Sequence, residues 1–402
     1  MPLFTPEPEF SDDYPTIIPS VGCNFANARA LDGRIKFWRN SVATYIDRNG
    51  DIKTVGNHVA RFDHDPDTGE SLGLLIEEQR TNFIASSETT FGGTATGDFF
   101  RGKEIHNKTV NINQFYFGSL FQNYSISAGD KYFLTGFIRA GSQTGTISIR
   151  WIDGLNAPVP GVNSFSYTPT TDGEFVSFEF TFSQAFSGSC NCALNGSSGD
   201  DADFAIMQLE KGAFPTSYIP TDGATAVREE EEPQIDARED DGDPNPYAVN
   251  NVDYYNPEEG TYLIEFRGGL LGDGDADATI LSYATDGFDR QLMFSGTVDG
   301  NGASAPSETS IGYHDVTSLN GSDHTTSFKT AAFAYGGTTM SLSSNGNVVN
   351  GTWDRPQLNN ADSGLVSIGH IAVLHRGLNG HVKRFYYYPK RLTDAQLQTL
   401  TQ

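Results

Sequence analysis

Short aromatic and β-branched runs, each followed by a turn rich in Gly, Asn, Ser or Asp, repeat along most of this chain. Between residues 99 and 219 these runs include "FYFGSLF", "YFLTGFIRA", "TISIRWI", "EFVSFEFTF" and "FAIMQLE". Runs of this length and residue type predict β-strands, and the 43 glycines among 402 residues supply the turns between them. The chain is therefore predicted to be all-β, with the strand spacing typical of β-sandwiches.

Changes in composition divide the chain into five predicted segments. In 1–24 five prolines lie among acidic residues, which predicts an extended arm, and 25–90 is predicted to be a hairpin-rich connecting region. Residues 91–222 hold the first predicted sandwich. The text "REEEEPQIDAREDDGD" within 223–250 predicts a solvated acidic linker, because like charges repel. Strand runs resume in 251–402 and predict a second sandwich in tandem with the first.

Two local patterns predict individual elements. Asn49-Gly50 lies between "VATYID" and "IKTV", which predicts a β-hairpin over residues 42–55. Near the C terminus, "TDAQLQTLT" predicts a short closing helix with Thr393 as its N-cap.

The stretch "RFDHDPDTGESLGLLIEEQRTN", residues 61–82, places Asp63, Asp65 and Asp67 at alternate positions, as a calcium-binding loop would. An EF-hand loop requires Gly at its sixth position, but Gly69 stands at the seventh. The flanking runs "VARF" and "LGLLIEE" have strand patterns, whereas an EF-hand needs two helices. The preferred prediction is therefore a turn between two strands, formed around Asp65 and Gly69.

The charge of the chain excludes several classes of partner. Acidic residues outnumber basic ones by 51 to 26, which gives a net charge of −25. This charge repels phosphate backbones and anionic membrane surfaces, so nucleic acid is not an expected partner. No run has the length of a membrane span, and "MPLFTPEPEF" lacks the features of a signal peptide. The chain is therefore expected to be made in the cytosol without membrane insertion.

Three cysteines are present, Cys23, Cys190 and Cys192. The odd count and the absence of a nearby His or Cys cluster predict buried thiols rather than disulfides or metal ligands.

The text from "FWRNSVATYID" to "IKTV", the 61–82 stretch and "QLEKGAFPTSYIPTDGATAVR" together resemble a recurrent signature in structural proteins of tailed bacteriophages. The similarity covers residues 30–90 and 203–228. The resemblance implies that 91–222 is a jelly roll like that of carbohydrate-binding modules. Residues 251–402, which end in "LNGHVKRFYYYPKRLTDAQLQTLT", resemble a concanavalin-A-like (laminin-G-like) sandwich.

The resemblance to a concanavalin-A-like sandwich raises the possibility of catalysis and metal binding. Retaining glycosidases with a concanavalin-A-like sandwich carry a Glu-x-Asp-x-x-Glu pattern on one strand, and this sequence contains none. The chain is therefore predicted not to be an enzyme, and no cofactor is predicted. Asp273, Asp275 and Asp277 in "GDGDADAT" are candidate calcium ligands, although a solvated acidic turn is preferred there.

Glycan binding is predicted from aromatic residues, because sugar rings stack on aromatic faces and hydrogen-bond to neighbouring polar groups. Trp151 and Trp353 are the candidate tryptophans, with a core position as the alternative for Trp151. Trp353 lies in "NGTWDRPQ", where the alternative is a turn pinned by its own salt bridge. The predicted glycan-binding cluster consists of Trp353, Asp354 and Arg355, with Asp289 and Arg290 of "GFDRQ" as neighbours.

The resemblance implies a non-enzymatic virion structural protein of a tailed bacteriophage, assembled in the host cytoplasm. A tail fibre, spike or adhesin would attach to other virion proteins through the N-terminal arm and bind host surface polysaccharide with its distal sandwich. A homotrimer is expected, because several weak sites presented together gain avidity. The alternative is a head decoration or cement protein that binds capsid proteins and no sugar. A glycan-degrading enzyme is the third possibility, which the missing carboxylate pair disfavours.

Overall fold

The structure is a computed structural model, and its described residues form antiparallel strands and one short α-helix. This confirms the all-β prediction. The described residues are 15–89, 93–110, 115–143, 145–197, 199–236, 254–268, 277–283, 291–296, 310–313, 316–320, 326–352, 365–371 and 376–402. None of the helices in these ranges is long and apolar enough to cross a membrane.

The strands are numbered in chain order. Strands β1 to β9 are Val21–Asn24, Ile35–Trp38, Ala43–Ile46, Ile52–Val55, Phe62–His64, Ser71–Ile76, Arg80–Asn82, Thr94–Phe100 and Lys103–Val110. Strands β10 to β18 are Phe115–Ile126, Lys131–Ala140, Ile147–Asp153, Phe165–Tyr167, Glu174–Thr181, Phe186–Asn195, Asp200–Lys211, Ala226–Arg228 and Glu232–Asp236. Strands β19 to β24 are Glu259–Arg267, Asp277–Tyr283, Gln291–Gly296, Ser310–Tyr313, Val316–Asn320 and Lys329–Gly336. Strands β25 to β30 are Thr339–Ser344, Asn347–Thr352, Leu365–Ile368, His370–Ile371, Arg376–Gly377 and Gly380–Tyr388, and helix α1 is Asp394–Leu400.

The chain divides into two compact units that do not follow sequence order. The central unit consists of Arg39–Glu70 and Gln79–Glu230. The terminal unit consists of Met1–Trp38, Ser71–Glu78 and Glu231–Gln402. The sequence predicted consecutive segments, whereas each of these units combines stretches that are distant in sequence.

The central unit contains a four-stranded sheet, β10-β15-β12-β13, and a five-stranded sheet, β14-β11-β16-β9-β8. Alternate residues of both sheets form one apolar core, as in a β-sandwich. Trp151 lies in this core with 1% of its surface exposed, and its ring centroid is 5.0 Å from that of Tyr132 and 5.4 Å from that of Phe182. Trp151 is therefore a core residue, which removes it as a glycan-binding candidate.

The hairpin predicted over residues 42–55 is confirmed, because β3 and β4 pair in register around Asn49 and Gly50. Gly50 has φ of +82°, which a residue with a Cβ rarely adopts. Ile52 of this hairpin packs with Phe137 of β11 in a second apolar cluster. The hairpin therefore covers part of the five-stranded sheet.

The terminal unit is also built from antiparallel sheets. One sheet has the order β26-β25-β24-β19-β30-β6, and β1 also pairs with β30. The other has the order β2-β18-β27-β20-β21-β22-β23. Helix α1 contributes Leu397 to an apolar cluster that also contains Leu263 of β19. Thr393 caps the helix in a capping box with Gln396, which confirms the predicted N-cap.

Two stretches predicted to be unpaired form strands. Within the predicted arm 1–24, β1 buries Val21 and Cys23 at alternate positions against β30. Within the predicted linker 223–250, β17 pairs with β7, and β18 lies between β2 and β27. Ile235 of β18 has none of its surface exposed. Burial of a few apolar side chains therefore outweighs the repulsion between the neighbouring acids.

Candidate functional site

Most residues predicted from the sequence to bind glycan or calcium lie outside the described residues. These are Trp353, Asp354, Arg355, Asp289, Arg290, Asp273 and Asp275. Asp277 begins strand β20, where its backbone pairs with Gly296. The glycan cluster therefore stays a prediction, as does the acidic turn at 273–277 with its calcium-binding alternative.

The three aspartates of the 61–82 stretch have three different partners. Oδ1 of the buried Asp63 accepts a hydrogen bond of 2.6 Å from the N–H of Ile46. Oδ1 of Asp65 accepts from two backbone N–H groups of its own turn, at 2.8 and 3.0 Å. The carboxylate of Asp67 is 86% exposed and lies 3.7 Å from the guanidinium of Arg101. The stretch therefore forms the predicted turn, and its carboxylates do not converge on one point.

Asn82, the last residue of the stretch, is buried and joins three chain segments. Its Nδ2 donates to the carbonyl of Ile219 at 2.9 Å. Its Oδ1 accepts from the N–H groups of Ile84 at 3.0 Å and Leu209 at 3.1 Å. Oε1 of Gln208 accepts from the N–H of Ile219 at 2.6 Å. These two amides therefore satisfy buried backbone groups of the segment "TSYIPT", which would be costly to leave unpaired.

Glu210 is the centre of a neighbouring buried polar cluster. Its carboxylate accepts from the N–H of Thr216 at 2.9 Å and from the Thr216 hydroxyl at 2.7 Å, and it lies 3.6 Å from Nε of Arg80. Burial raises the pKa of the Glu210 carboxyl, while the Thr216 hydrogen bonds and the Arg80 charge act in the opposite direction. Arg228 donates to the Thr216 hydroxyl at 3.2 Å. The polar residues of 80–82 and 208–228 thus serve as internal anchors of the central unit.

A different kind of surface lies on the five-stranded sheet, on the face opposite its apolar core. Along β11, Ile138 points into the core, so Phe137 and Arg139 lie on the second face. Strand register places Phe175 of β14 beside Phe137. It also places Asp203 of β16 beside Arg139. Aromatic and charged side chains therefore lie next to each other on this face.

The turn between β8 and β9 brings a second arginine to this face. Phe100 stacks on Phe137 with ring centroids 4.2 Å apart. The guanidinium of Arg101 lies 5.1 Å from the centroid of Phe100 and 5.8 Å from that of Phe175. Such cation–π contacts hold an arginine in place without using its hydrogen-bond donors. Phe175 remains 48% exposed, so part of its ring is open to a ligand.

Arg139 is fixed by two carboxylates. Its Nη2 donates to Asp98 at 2.8 Å, and its Nε donates to Asp203 at 3.0 Å. The hydrogen bond to Asp98 and, to a smaller extent, the one to Asp203 raise the pKa of the Arg139 guanidinium above its usual value. Asn107 donates to the other oxygen of Asp203 at 2.8 Å, so the buried carboxylate is held from both sides. Asp98 is exposed to solvent, so the Arg139 guanidinium is bonded to one buried and one exposed carboxylate.

We name the surface formed by Asp98, Arg101, Arg139, Phe175 and Asp203 the arginine face. It combines an exposed aromatic ring with guanidinium donors and a carboxylate acceptor, which is the combination that a sugar ring and its hydroxyl groups require. Sequence reasoning missed this surface because its residues come from different strands and one turn. The available signal was the alternation in "YFLTGFIRA", where Arg139 follows Phe137 on the face away from the core.

Fold and site together define an all-β protein of two compact units with an exposed arginine face on one sheet. No protein-family model and no curated protein matches the chain. Among solved structures, the chain is similar to a Trypanosoma rangeli sialidase in complex with the inhibitor DANA, with 11% identity, a TM-score of 0.30 and coverage of 47% of this chain. The chain covers only 29% of the length of that sialidase.

Two further solved structures, each with two named domains, are also similar. The CBM22-1-CBM22-2 tandem domain from Paenibacillus barcinonensis Xyn10C matches with 10% identity and a TM-score of 0.21, covering 77% of this chain and 96% of its own. Domains LG4-5 of the mouse laminin alpha1 chain match with 11% identity and a TM-score of 0.20, covering 71% of this chain and 91% of their own. TM-scores this low carry no argument about function, which must come from the residues of this chain.

Proposed function

We propose that this chain is a non-enzymatic β-sandwich protein that binds glycan through the arginine face, as a tail fibre or spike of a tailed-phage virion. The observation that carries the glycan-binding part is the placement of Arg101 over the half-exposed ring of Phe175. The virion part is supported by the sequence signature in residues 30–90 and 203–228.

The arginine face is ordered by contacts within the protein. Arg101 is stacked on two rings, and Arg139 is bonded to Asp98 and Asp203. A ligand would therefore meet side chains that already hold their positions. Less conformational entropy is lost on binding when the contact groups are pre-organised, which favours a small polar ligand such as a sugar unit.

The remaining parts of the proposal concern assembly. The first residues of the chain would attach it to other virion proteins, and a homotrimer would present several glycan sites together, since linked weak sites gain avidity. Trp353, Asp354 and Arg355, with Asp289 and Arg290, remain a second proposed glycan contact in the terminal unit. For Asp273, Asp275 and Asp277 a solvated acidic turn remains the preferred proposal, with calcium binding as the alternative.

Binding of the full-length chain to host surface polysaccharide tests the glycan-binding part. We expect Phe175→Ala and Arg101→Gln each to weaken binding by about tenfold or more, since a lost contact of about 1.4 kcal/mol is a tenfold change. Leu155→Ala is the matched control, because Leu155 is 89% exposed in the loop between β12 and β13 of the other sheet. Circular dichroism checks that each variant folds.

Other outcomes separate the competing functions. If Trp353→Ala abolishes binding and Phe175→Ala leaves it unchanged, the glycan site belongs to the terminal unit. If the wild-type chain binds no glycan but binds assembled head shells, the decoration or cement function replaces the one proposed here. Release of reducing ends from the polysaccharide would instead make the chain a glycan-degrading enzyme.

A further inference from the structure

Negative charge surrounds the two guanidinium groups of the arginine face. Asp98 and Asp203 both lie 2.8 Å from Nη2 of Arg139. Asp67, from the turn of the 61–82 stretch, lies 3.7 Å from Arg101. Three carboxylates thus neighbour two arginines, in a chain whose net charge is −25. The local potential therefore opposes the approach of an anionic ligand.

The same surface keeps unused hydrogen-bond donors. Within the described part of the chain, the Arg101 guanidinium donates no hydrogen bond, since its contacts are the rings of Phe100 and Phe175 and the distant carboxylate of Asp67. Nη1 of Arg139 likewise donates none to the described residues, because its bonds run through Nε and Nη2. Both side chains remain 22–24% exposed. A ligand oxygen can therefore reach donors that are already oriented.

An acceptor stands beside these donors. Asp98 is 60% exposed and uses Oδ2 to bind Arg139. Its Oδ1 accepts no hydrogen bond from any residue in the described ranges. The arginine face therefore carries a carboxylate oxygen as well as N–H donors that a ligand can use.

We infer that the arginine face selects uncharged glycans over glycans that carry carboxylate or sulfate groups. This inference rests on the proposed function. A sugar hydroxyl both donates and accepts, so a neutral sugar can accept from Arg101 and donate to Asp98 at the same time. A carboxylate or sulfate only accepts at that group, and it would lie close to Asp67 and Asp98, whose like charges repel it.

A printed array that carries neutral oligosaccharides and matched carboxylate- or sulfate-bearing ones tests the inference with the full-length chain. We expect wild-type protein to bind its best neutral oligosaccharide at least about tenfold more tightly than the acidic counterpart. Binding of the neutral ligand should change by less than about twofold between 0.05 and 0.3 M salt, because screening acts on charge pairs.

Removing one rim carboxylate should change the selectivity. Asp67→Asn lowers the local negative charge without touching Arg139, so we expect acidic oligosaccharides to gain about threefold or more while neutral ones stay within twofold. Asp98→Asn should weaken neutral binding as well, since a neutral amide oxygen is a weaker acceptor than the carboxylate and holds Arg139 less firmly. Glu258→Gln, an exposed carboxylate of the terminal unit, is the control and should change neither.

The outcomes distinguish this inference from the proposed function. Tighter wild-type binding of acidic oligosaccharides that depends on Phe175 and Arg101 would overturn the selectivity and leave glycan binding by the arginine face intact. An Asp67→Asn variant with unchanged binding of acidic ligands would also overturn it. Failure of the wild-type chain to bind any oligosaccharide on the array would overturn both.

Discussion

Asn82 is a single buried polar residue that connects distant segments inside the central unit. Its side chain bonds to Ile219, which lies 137 positions away in sequence. The sequence predicted the Asp65 turn and the buried thiols, because both depend on neighbouring residues or on residue type alone. It could not predict the partners of Asn82 or Glu210, because nothing in one sequence states which distant backbone groups meet.

Replacing Asn82 should therefore be costly. Asn82→Ala leaves the buried N–H groups of Ile84 and Leu209 without their acceptor, so we expect the free energy of unfolding to fall by about 2–4 kcal/mol. Urea unfolding followed by fluorescence measures this change. Asn57→Ala is the control, because Asn57 is exposed and its side chain bonds, among the described residues, to that of Asn40. Equal effects of the two substitutions would refute the anchoring role of Asn82.

The native thiols should be chemically inert. Burial, the largest cause, raises the pKa of Cys23 to about 11 and that of Cys190 to about 12, and also raises the pKa of Cys192. Since the thiolate is the reactive form, we expect negligible labelling by a chromogenic disulfide reagent at pH 8 and labelling of all three cysteines after unfolding. Rapid labelling of native protein would contradict this burial.

The raised pKa values of the cysteine thiols also make the stability of the fold depend on pH. A raised pKa means that the folded state favours the neutral thiol, so this contribution to stability is complete below the unfolded value of about 9 and declines as the pH rises through about 11. Native protein should therefore lose stability in alkaline solution above about pH 9.

Among the secondary-structure elements, those with a strong local sequence pattern were predicted correctly. The β3–β4 hairpin follows from the Asn49-Gly50 turn. The helix start follows from Thr393, a capping residue placed before two leucines three positions apart. The strands β1 and β18 were missed, because Pro and acidic residues concealed one or two buried apolar positions such as Ile235. The arginine face was missed for a related reason, since it exists only after separate strands have paired.

The helix cap gives a prediction at this scale. Thr393→Ala removes the hydroxyl that accepts from the N–H of Gln396, so we expect α1 to lose about 1 kcal/mol of local stability. Hydrogen exchange of the α1 amides should accelerate by about fivefold, as 1.4 kcal/mol corresponds to tenfold. Thr399→Ala serves as the control, because that hydroxyl bonds to the Ala395 carbonyl within the helix. Similar exchange in both variants would mean that the cap contributes nothing.

The whole molecule differs from a simple series of domains. Residues 71–78 belong to the terminal unit although residues on both sides of them belong to the central unit, because β6 pairs with β30. Fold class followed from composition and strand spacing, but this interleaving depends on pairing between residues about 300 positions apart. Consecutive sequence segments therefore do not describe how this stretch joins the two units.

The proposed homotrimer belongs to this scale. Sedimentation of the purified full-length chain should give about three times the mass of the 43.7 kDa chain at micromolar concentration. Trimer formation is expected to strengthen binding to a glycan-coated surface relative to a single soluble oligosaccharide, through avidity. A monomer at all concentrations tested, both free and on assembled particles, would contradict this part of the proposal.

The most direct test of the central claim is an experimental structure of the full-length chain with the neutral oligosaccharide that binds it best. We expect one sugar ring to lie against Phe175, with its hydroxyl groups within hydrogen-bond distance of Arg101 and Asp98. A sugar bound on another surface, with the arginine face unoccupied at saturating ligand, would contradict the assignment of glycan binding to this face.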